Sequence, residues 1–548
     1  MNAVKENHDL ADKAVRRYTE LKTERTHHEQ YWRTIAQLVR PHRKIGYETV
    51  TTQHYSPSLS STSIMAHGNF AAGIYSGITN PATRWGSAMT PDTDLARWPP
   101  FAEWLDRTNA RVHKSFSPGV SSFYSSTFQA YGDIAAFGNA CAYDEIDQAT
   151  RRFIDVSVSI GEVVIVKDAH GRVVELLRKF QMTAIAARRM FGDALPENLR
   201  VRAEKGGIDK FDFYHWVFRN VDFEPYAMGV KGKRWSSVYV CEEKRTLLRM
   251  RGYATMPFYY ARWDVDTGDT YGLGPGFVAL PSMRVHNRFR DATIRRAQYE
   301  ADPVRLAPDR NVAPLEGDWR PGGTIYGAIR NGQKQVDTES FGSGYSITVE
   351  QERMAAEEIR EAFYYATQSL TGRTGLSDEE NRIIEEAKLR NWAPHADRIM
   401  EEYAAQKFER RWGLLMMAGQ LDPVPEGTPR DAQLMIQYQS AAAMALRASE
   451  ANAVRRFLAD LEPLMQIKPG LRHRVSEDDV AEVLHEANTV LPQRILRSRE
   501  EAQQLAQQEQ QAIQAQQAAE LAAPVGAGIR DLAQAAGQLQ GAGGEVVQ

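Results

Sequence analysis

The sequence predicts an α+β fold that is mainly helical. Three observations support this prediction: apolar residues recur at helical spacing in the N-terminal part, the period changes to two from Ala140 onward, and helical spacing returns in the C-terminal part. Helical segments that flank a central run of antiparallel strands are typical of an α+β protein.

The N-terminal part is predicted to begin with one long amphipathic helix over 9–40, which Pro41 ends. Residues 42–60 are polar and are predicted to form a loop. A helix over 64–79 carries glycines that suit close packing against another helix. Two further helices are predicted, over 101–116 and 121–138.

The central part reads as an antiparallel sheet with one helix, over 183–191, inserted between its strands. The turn at 168–171 contains a glycine and predicts a hairpin. The predicted strands are 140–146, 153–158, 163–167, 173–177, 211–218, 236–241, 246–250 and 258–263.

The stretch 271–375 reads as helix, proline- and glycine-rich excursion, helix. Three glycines and a proline over 271–276 indicate a sharp turn. The first helix, 279–300, is basic and ends before Pro303. Its predicted apolar stripe is Val285, Phe289, Ala292 and Tyr299, and its neighbouring face carries Arg284, Arg288 and Arg295.

The second helix of this stretch, 349–370, is acidic. Its predicted apolar stripe is Ile359, Phe363, Ala366 and Leu370, and its acidic residues include Glu350, Glu357 and Glu361. Two long helices of opposite charge can pair with each other or with neighbouring copies. The simpler alternative is an ordinary antiparallel helix pair with a decorated loop.

The C-terminal part is predicted to be helical over 377–418, with a bend at Pro394, and again over 430–465 and 476–490, after a linker over 423–429. The run 495–521 is rich in Ala, Gln and Glu, and such a polar helix is stable only when it self-associates or joins a bundle. The tail over 524–548 is predicted to be disordered.

Length and composition limit the possible functions. A chain of 548 residues predicts two to four domains. A net charge of −3 argues against a protein that grips nucleic acid, but it allows a surface past which DNA slides. Two cysteines cannot form a disulfide framework, and a reducing compartment is expected. The sequence contains no signal-peptide pattern and no apolar run long enough to span a membrane.

The sequence offers little sign of catalysis. The motifs of phosphate-binding loops, dinucleotide sites, zinc proteases and serine hydrolases do not occur. Acidic pairs such as Glu401-Glu402 fit a solvated helix face better than a metal cluster. Mixed aromatic and basic runs fit strand alternation or a helix end better than base stacking. Trp319 and Arg320 lie on a loop and suit either a protein-binding hot spot or packing under that loop.

Several short motifs in a fixed order resemble the portal, or head-to-tail connector, proteins of short-tailed bacteriophages. The order extends over some 350 residues. The motifs are Trp32 with Pro41; the glycine-spaced helix before Asn80-Pro81 and Trp85; Tyr131-Gly132-Asp133 with Gly138-Asn139-Ala140; Ser159-Ile160-Gly161-Glu162 and the hairpin through Gly171; Arg178-Lys179-Phe180-Gln181-Met182-Thr183; Phe191-Gly192 with Leu195-Pro196; and Tyr271-Gly272 with Gly274-Pro275 and Ala279-Leu280.

The resemblance implies a ring of twelve copies around an axial channel. It implies a portal-type architecture, with an α+β wing, a two-helix stem, a small α/β clip, a tunnel loop and a helical crown or barrel. The implied parts are a wing over 1–270, stem helices over 271–302 and 346–370, a clip over 303–345, a tunnel loop over 371–377, a long wing helix over 378–425, a crown over 426–523 and a tail over 524–548.

The resemblance also implies partners and site residues. The chain is expected to work as a virion protein assembled in the host cytoplasm, at one capsid vertex, without a cofactor, a metal or enzymatic activity. The implied partners are other copies of the chain, double-stranded DNA bound non-specifically, the terminase large subunit, tail adaptor proteins, capsid and scaffolding proteins, and ejection proteins at the crown. The tunnel-loop candidates are Thr371, Arg373, Thr374 and Ser377, and the clip-docking candidates are Arg310, Trp319, Arg320 and Tyr326.

One hypothesis about the stem combines the resemblance with the charge pattern. Arg284, Arg288 and Arg295 are expected to meet Glu350, Glu357 and Glu361 across subunit boundaries. Two alternatives of other classes stay open at this point. One is a helical scaffold or adaptor without a channel, and the other is a nuclease that uses carboxylates and a metal.

Overall fold

The computed structural model describes residues 2–45, 59–82, 84–147, 152–301, 305–306, 329–334, 337–338, 345–364, 394–429, 432–438, 453–461, 463, 480–481, 484, 507–509 and 511–514. The four tunnel-loop candidates, the four clip-docking candidates and the tail over 524–548 lie outside these residues.

The chain divides into two compact units. The first comprises residues 1–87, 109–421 and 436–445, and the second comprises 88–108, 422–435 and 446–548. Among the described residues, no helix is both long enough and apolar enough to cross a membrane.

The helices make up most of the N-terminal part, and others lie between the strands and after the sheets. The helices are α1 (Asn2–Val39), α2 (Thr62–Ile78), α3 (Thr93–Arg97), α4 (Pro99–Ser115), α5 (Phe123–Phe137), α6 (Ala184–Phe191), α7 (Glu197–Glu204), α8 (Pro275–Val278), α9 (Leu280–Ala301), α10 (Tyr345–Ala362) and α11 (Gln406–Met417). A π-helical turn, Met400–Ala405, leads directly into α11.

The strands form several sheets, and the strand pairs between residues 139 and 338 are antiparallel. The strands are β1 (Gly86–Met89), β2 (Asn139–Ile146), β3 (Phe153–Val158), β4 (Val163–Lys167), β5 (Val173–Thr183), β6 (Lys210–Arg219), β7 (Trp235–Cys241), β8 (Thr246–Tyr253), β9 (Phe258–Arg262), β10 (Arg305–Leu306), β11 (Ile329–Arg330), β12 (Gln333–Lys334), β13 (Asp337–Thr338) and β14 (Met435–Tyr438). One sheet has the order β4-β5-β6-β7-β8 and another has the order β3-β2-β9.

The five-stranded sheet is covered on both faces. Alternate side chains of each strand point to opposite faces; Leu177 therefore packs under α1 with Tyr18, whereas Phe180 packs with Phe191 of α6. Apolar residues occur at both odd and even positions of these strands, because both faces of the sheet are covered and neither faces water.

The three-stranded sheet packs against α5 and the helical segment that ends in α11. An aromatic cluster closes this core: Trp85 stacks on Phe123 at 5.5 Å between ring centroids, and its ring edge meets Phe408 at 5.8 Å. The cluster unites segments about 320 residues apart in sequence. The second unit has small anchors of its own, such as the hydrogen bond of 2.8 Å from Trp104 Nε1 to the Asp422 carbonyl.

Most predicted elements of the first unit are confirmed. The long N-terminal helix, the strands over 153–158 and 163–167 and the first helix of the central stretch all occur. Helix α7 was not predicted from the sequence. Strand β5 runs on to Thr183, beyond its predicted end at 177, because its last residues continue the ladder with β6. In that ladder, Lys179 lies opposite Tyr214 and Gln181 lies opposite Asp212.

Two helix predictions are wrong in part. The acidic helix predicted to run to Leu370 ends at Ala362, and Tyr364 has a φ of 54°, which a helix does not tolerate. The helix predicted over 430–465 contains the strand β14 instead. The β-branched Ile436 and the aromatic Tyr438 suit an extended backbone. Residues 453–461 are helical, as predicted.

Short strands occur in the excursion between α9 and α10. Strands β10 and β13 pair antiparallel, which brings the two ends of the excursion together. Strands β11 and β12 form a hairpin whose turn, Asn331-Gly332, has positive φ at both residues. Asn-Gly is the preferred pair for this turn and is the sequence signal that predicts it.

Candidate functional site

Helices α9 and α10 pack side by side in opposite directions. Ser282 Oγ donates to Glu358 at 2.6 Å near the start of α9, and Arg290 pairs with Glu352 at 2.9 Å further along. Thr293 Oγ1 also donates to Glu352, at 3.1 Å. Because residue numbers rise along α9 as they fall along α10, these contacts define an antiparallel pair, here called the stem pair.

The stem pair buries a narrow face of each helix. Met283, His286 and Thr293 are buried on α9, and Ala356 and Ile359 are buried on α10. The stripe predicted on α9 is wrong at two of its four residues: Val285 is 44% exposed, and Ala292 is also exposed. Phe289 is half-buried, and the side chain of Tyr299 lies outside the described residues. Thr293 is buried instead because it reaches Glu352, a contact that the hydrophobicity pattern does not reveal. The prediction for Ile359 and Phe363 is confirmed.

The arginines predicted for the stem point away from α10. At 3.6 residues per turn, Arg284, Arg288 and Arg295 lie within about 40° of arc on α9 and opposite its buried face. All three are exposed. Arg295 forms only a local pair with Asp291, at 3.0 Å. Within the described residues, Arg284 and Arg288 form no ion pair.

The glutamates predicted for the stem mirror this arrangement on α10. Glu350, Glu357 and Glu361 also fall within about 40° of arc, opposite Ile359. All three are exposed, and Glu357 pairs only with Arg353 of the same helix, at 3.3 Å. A single chain therefore cannot bring the basic face of α9 and the acidic face of α10 together, because the stem pair separates them.

The base of the stem is a backbone-to-backbone contact between two glycine motifs. A Cβ at Gly274 would lie 2.4 Å from Gly138 N, and a Cβ at Gly276 would lie 2.1 Å from the Ala136 carbonyl oxygen. Gly138 has a φ of 72° and closes α5. Only residues without side chains fit here, so the turn before α8 is held directly against the end of α5.

Asn139 fixes the same joint with two hydrogen bonds. Its Nδ2 donates to the Gly272 carbonyl at 2.6 Å, and its Oδ1 accepts from Gly272 N at 2.8 Å. Trp32 of α1 packs on Tyr271 at 5.6 Å. Three of the motifs that carry the family resemblance thus meet in space, at the point where the chain turns into α8 and α9.

Aromatic rings hold the end of α10. Phe363 is buried against His67, and Tyr364 stacks on Phe70 at 5.2 Å. Trp263 touches Tyr364 at 6.4 Å and stacks on His395 at 4.5 Å. The described residues on either side of 365–393 therefore contact the same tryptophan.

His67 is a buried histidine at this joint. Its Nε2 lies 2.8 Å from the Gly132 carbonyl oxygen. Burial, with a smaller contribution from nearby Arg40, lowers the pKa of His67 to about 4, although the Gly132 carbonyl and Asp133 act in the opposite direction. The imidazole is therefore neutral at pH 7. Asp133 itself is buried and receives hydrogen bonds from Arg40 and Arg43.

A buried ionic cluster docks α11 on the three-stranded sheet. Lys407 and Arg411 each contact Asp155 at 2.8 Å, and Arg410 contacts Asp144 at 2.6 Å. Burial raises the pKa of Asp155, but the charges of Lys407 and Arg411 outweigh burial and hold that pKa well below its usual range.

The structure corrects one carboxylate prediction and confirms the structural interpretation of the mixed aromatic runs. Glu402 does not lie on a solvated face, because it accepts from Arg262 N at 2.9 Å and pairs with that buried guanidinium. Tyr259, Arg262 and Arg411 are buried, and Arg411 stacks on Phe153 with 3.8 Å to the ring centroid. These side chains are part of the core and are not available to stack on nucleic-acid bases.

Among the described residues, no group of three or more His, Cys, Asp or Glu residues could hold a metal ion. Both cysteines are buried, and burial raises the pKa of the Cys141 thiol. The described residues thus combine an antiparallel helix pair, a close contact of two glycine motifs at its base and a buried ionic cluster.

Comparison with known proteins gives a consistent family. The sequence model of the family described as "Bacteriophage head to tail connecting protein" matches residues 11–496. The chain is 24% identical over 552 residues to the portal protein of Salmonella phage epsilon15, covering 95% of each chain. It is 26% identical over 546 residues to the probable portal protein of Bordetella phage BPP-1, covering 93% of this chain and 94% of that one.

Among solved structures, the chain is similar to one from the virion of a native gene transfer agent particle, at 14% identity with a TM-score of 0.34, covering 74% of this chain and 91% of that one. It is also similar to one from the neck of the native particle, at 14% identity with a TM-score of 0.31, covering 72% and 89%. Both likenesses are remote.

Proposed function

Since this chain belongs to the family of bacteriophage head-to-tail connecting proteins, we propose that its copies close into a ring whose wall is built from the stem pair of each copy. The chain is a phage portal protein, a virion component that connects head and tail. Family membership favours this function over the scaffold and nuclease alternatives, and the family is structural.

The observation that carries the ring proposal is the placement of the two charged faces. Arg284, Arg288 and Arg295 face away from α10, and Glu350, Glu357 and Glu361 face away from α9. A stem pair with one basic and one acidic outer face is complementary to its own copy in a head-to-tail arrangement. Such heterologous contacts generate rings when the rotation closes.

The proposed ring has twelve copies and passes double-stranded DNA without reading its sequence. A net charge of −3 per copy keeps the channel from holding the phosphate backbone tightly. The excursion between α9 and α10 is the proposed clip, where the terminase large subunit docks during packaging and tail adaptor proteins dock afterwards. Residues 371–377 are the proposed tunnel loop, and 426–523 form the proposed crown, which faces the ejection proteins.

The remaining proposed contacts follow the same architecture. The α+β part over 1–270 is the proposed wing, which meets capsid and scaffolding proteins during assembly in the host cytoplasm. The proposed activity is mechanical, without catalysis and without a cofactor.

Charge reversal tests the ring contact. We expect the double substitution Arg288→Glu and Arg295→Glu to dissociate the ring at dilutions where the wild-type ring stays intact, as measured by mass photometry. Each exposed pair contributes only about 0–1 kcal/mol, but the loss is repeated at every subunit boundary. Adding Glu357→Lys and Glu361→Lys should restore the ring.

The matched control makes the same charge change elsewhere. Lys13→Glu with Lys22→Glu alters two exposed lysines of α1 and should leave the ring intact. A reversed stem variant that remains a ring at high dilution would show that the charged faces do not meet at the subunit boundary.

A further inference from the structure

A second surface of the first unit is unusually apolar for a loop. Residues 220–234, which connect β6 to β7, are here called the β6–β7 knob. Within it, Val221 is 92% and Met228 98% exposed, and Tyr226 is fully exposed. Single exposed apolar residues need no explanation, but three large ones on one short loop are typical of a protein-binding surface.

The knob holds these side chains on a fixed backbone. Asn220 Nδ2 donates to the Val230 carbonyl at 3.2 Å and to the Lys233 carbonyl at 3.0 Å. A Cβ at Gly232 would lie 1.8 Å from the Ala227 carbonyl oxygen, so the loop closes on itself where only glycine fits. A preformed loop loses little conformational entropy when it binds.

An apolar groove lies at the other end of the same sheet. It has a volume of about 460 Å³, and Ile208 at its edge is 84% exposed. The groove is lined by Thr183, Ile185, Ala186, Arg189, Met190, Gly207 and Ile208.

The knob and the groove cannot meet within one chain. The groove adjoins the Thr183–Lys210 end of the β5–β6 ladder, whereas the knob follows Arg219 at the other end of β6. The length of β6 puts about 30 Å between the two ends at about 3.3 Å per residue. Two different apolar surfaces on opposite ends of one unit are what a head-to-tail contact between copies requires.

The first half of the knob and the groove also carry opposite charges, while Lys231, Lys233 and Arg234 in the second half, set against its two acidic residues, give the whole knob a net charge of +1. Arg189 is exposed at the groove, and Asp222 and Glu224 are exposed on the knob. Among the residues for which the structure gives contacts, none of these three forms an ion pair.

We propose that the β6–β7 knob of one copy seats in the Ile208 groove of the next copy around the ring. This inference rests on the proposed ring and assigns it a second contact, remote from the stem. Tyr226 and Met228 fill the groove, and Arg189 meets the acidic residues of the knob.

Disulfide trapping tests the contact in the full-length chain. The variant carrying both Tyr226→Cys and Ile208→Cys should form, under mild oxidation, covalent ladders of many copies on non-reducing gels. A disulfide needs Cα atoms within about 7 Å, so no bond can form inside one copy. The native Cys141 and Cys241 are buried and give no background.

The two single-cysteine variants are the matched controls and should stay monomeric on the gel. Dimers of Tyr226→Cys alone would indicate a knob-to-knob contact and would overturn the proposal. Intact rings of the double variant without a ladder would also overturn it, while leaving the proposed function in place. A wild-type chain that forms no ring would reject the proposed function itself.

A charge swap provides an independent measurement if the cysteine variants fold poorly. Arg189→Glu should increase the rate at which subunits exchange between rings, and Glu224→Arg added to it should restore the wild-type rate. An unchanged exchange rate in Arg189→Glu would contradict the proposed contact.

Discussion

Asp155 is the residue on which the attachment of α11 depends most. It is fully buried and pairs with two buried cations, Lys407 and Arg411, at 2.8 Å each. Removing one member of such a cluster leaves a charge buried without a partner, which costs more than the cluster contributes in net stability.

We therefore expect Asp155→Ala to lower the free energy of unfolding by about 3–5 kcal/mol, as measured by urea denaturation. The control is Asp193→Ala, because Asp193 is exposed and its removal should change stability by less than about 0.5 kcal/mol. Equal losses in the two variants would mean that the buried cluster does not hold α11.

His67, which packs against Phe363 at the end of α10, makes the stability of the folded chain depend on pH. Its pKa is about 4 in the folded chain, below the ordinary value of 6.5. The unfolded chain therefore binds more protons between these values, so stability is complete above pH 6.5 and is lost as the pH falls towards 4.

We expect the His67 contribution to fall by about 2 kcal/mol between pH 7 and pH 5. Replacing it by His67→Gln, which keeps a donor towards the Gly132 carbonyl, should reduce the pH dependence of the unfolding free energy by that amount. The control His170→Gln lies at an exposed turn and should leave the wild-type slope unchanged. If the pH dependence of the unfolding free energy is the same in His67→Gln as in the wild type, His67 is not buried in its neutral form in the folded chain.

At the scale of elements, the close contact between Gly276 and the end of α5 sets the direction of the stem pair. A Cβ at Gly276 would lie 2.1 Å from the Ala136 carbonyl oxygen, and backbone cannot move aside as a flexible side chain can. We expect Gly276→Ala to lower the melting temperature and to reduce the fraction of chains in rings, as measured by thermal denaturation and mass photometry.

Gly68→Ala is the matched control for this prediction. Gly68 lies inside α2, and apart from the adjacent backbone of that helix no atom lies within 4 Å of the position its Cβ would take. Alanine should therefore leave the chain as stable as before or stabilise it by up to about 1 kcal/mol. If Gly276→Ala behaves like Gly68→Ala, the close approach of the two glycine motifs is not what positions α9.

The elements themselves were largely predictable, because each rests on a local pattern. The first helix of the central stretch ends before Pro303 as predicted, although its apolar stripe was misplaced, and β3 follows from its alternation. The end of α10 was not predictable in this way, because Phe363 and Tyr364 leave the helix to reach His67 and Phe70, which lie about 300 residues earlier in the chain.

The buried ion pairs of Asp155 and Glu402 were not predicted, for the same physical reason. In the sequence, Asp155 occupies a polar position of an alternating strand, and Glu402 occupies a position typical of a solvated helix face. The structure shows that Asp155 pairs with Lys407 and that Glu402 pairs with Arg262. One signal was available: Lys407, Arg410 and Arg411 share a helix face by their spacing of three and four. Positive charges on the same face as Tyr403 and Phe408 indicate buried carboxylate partners.

At the scale of the whole molecule, the two charged faces of the stem pair lie apart within one copy. The faces predicted from the sequence lie on the outer sides of α9 and α10, so they are open to neighbouring copies. Their meeting across subunit boundaries remains a prediction, as do the twelve-fold symmetry, the clip and the tunnel loop.

Electron microscopy of the purified full-length chain tests the ring most directly. The account predicts closed rings with a central hole, in which α9 of each copy lies beside α10 of the next. Monomers or open aggregates at micromolar concentration, or closed rings whose stem pairs do not touch one another, would contradict it.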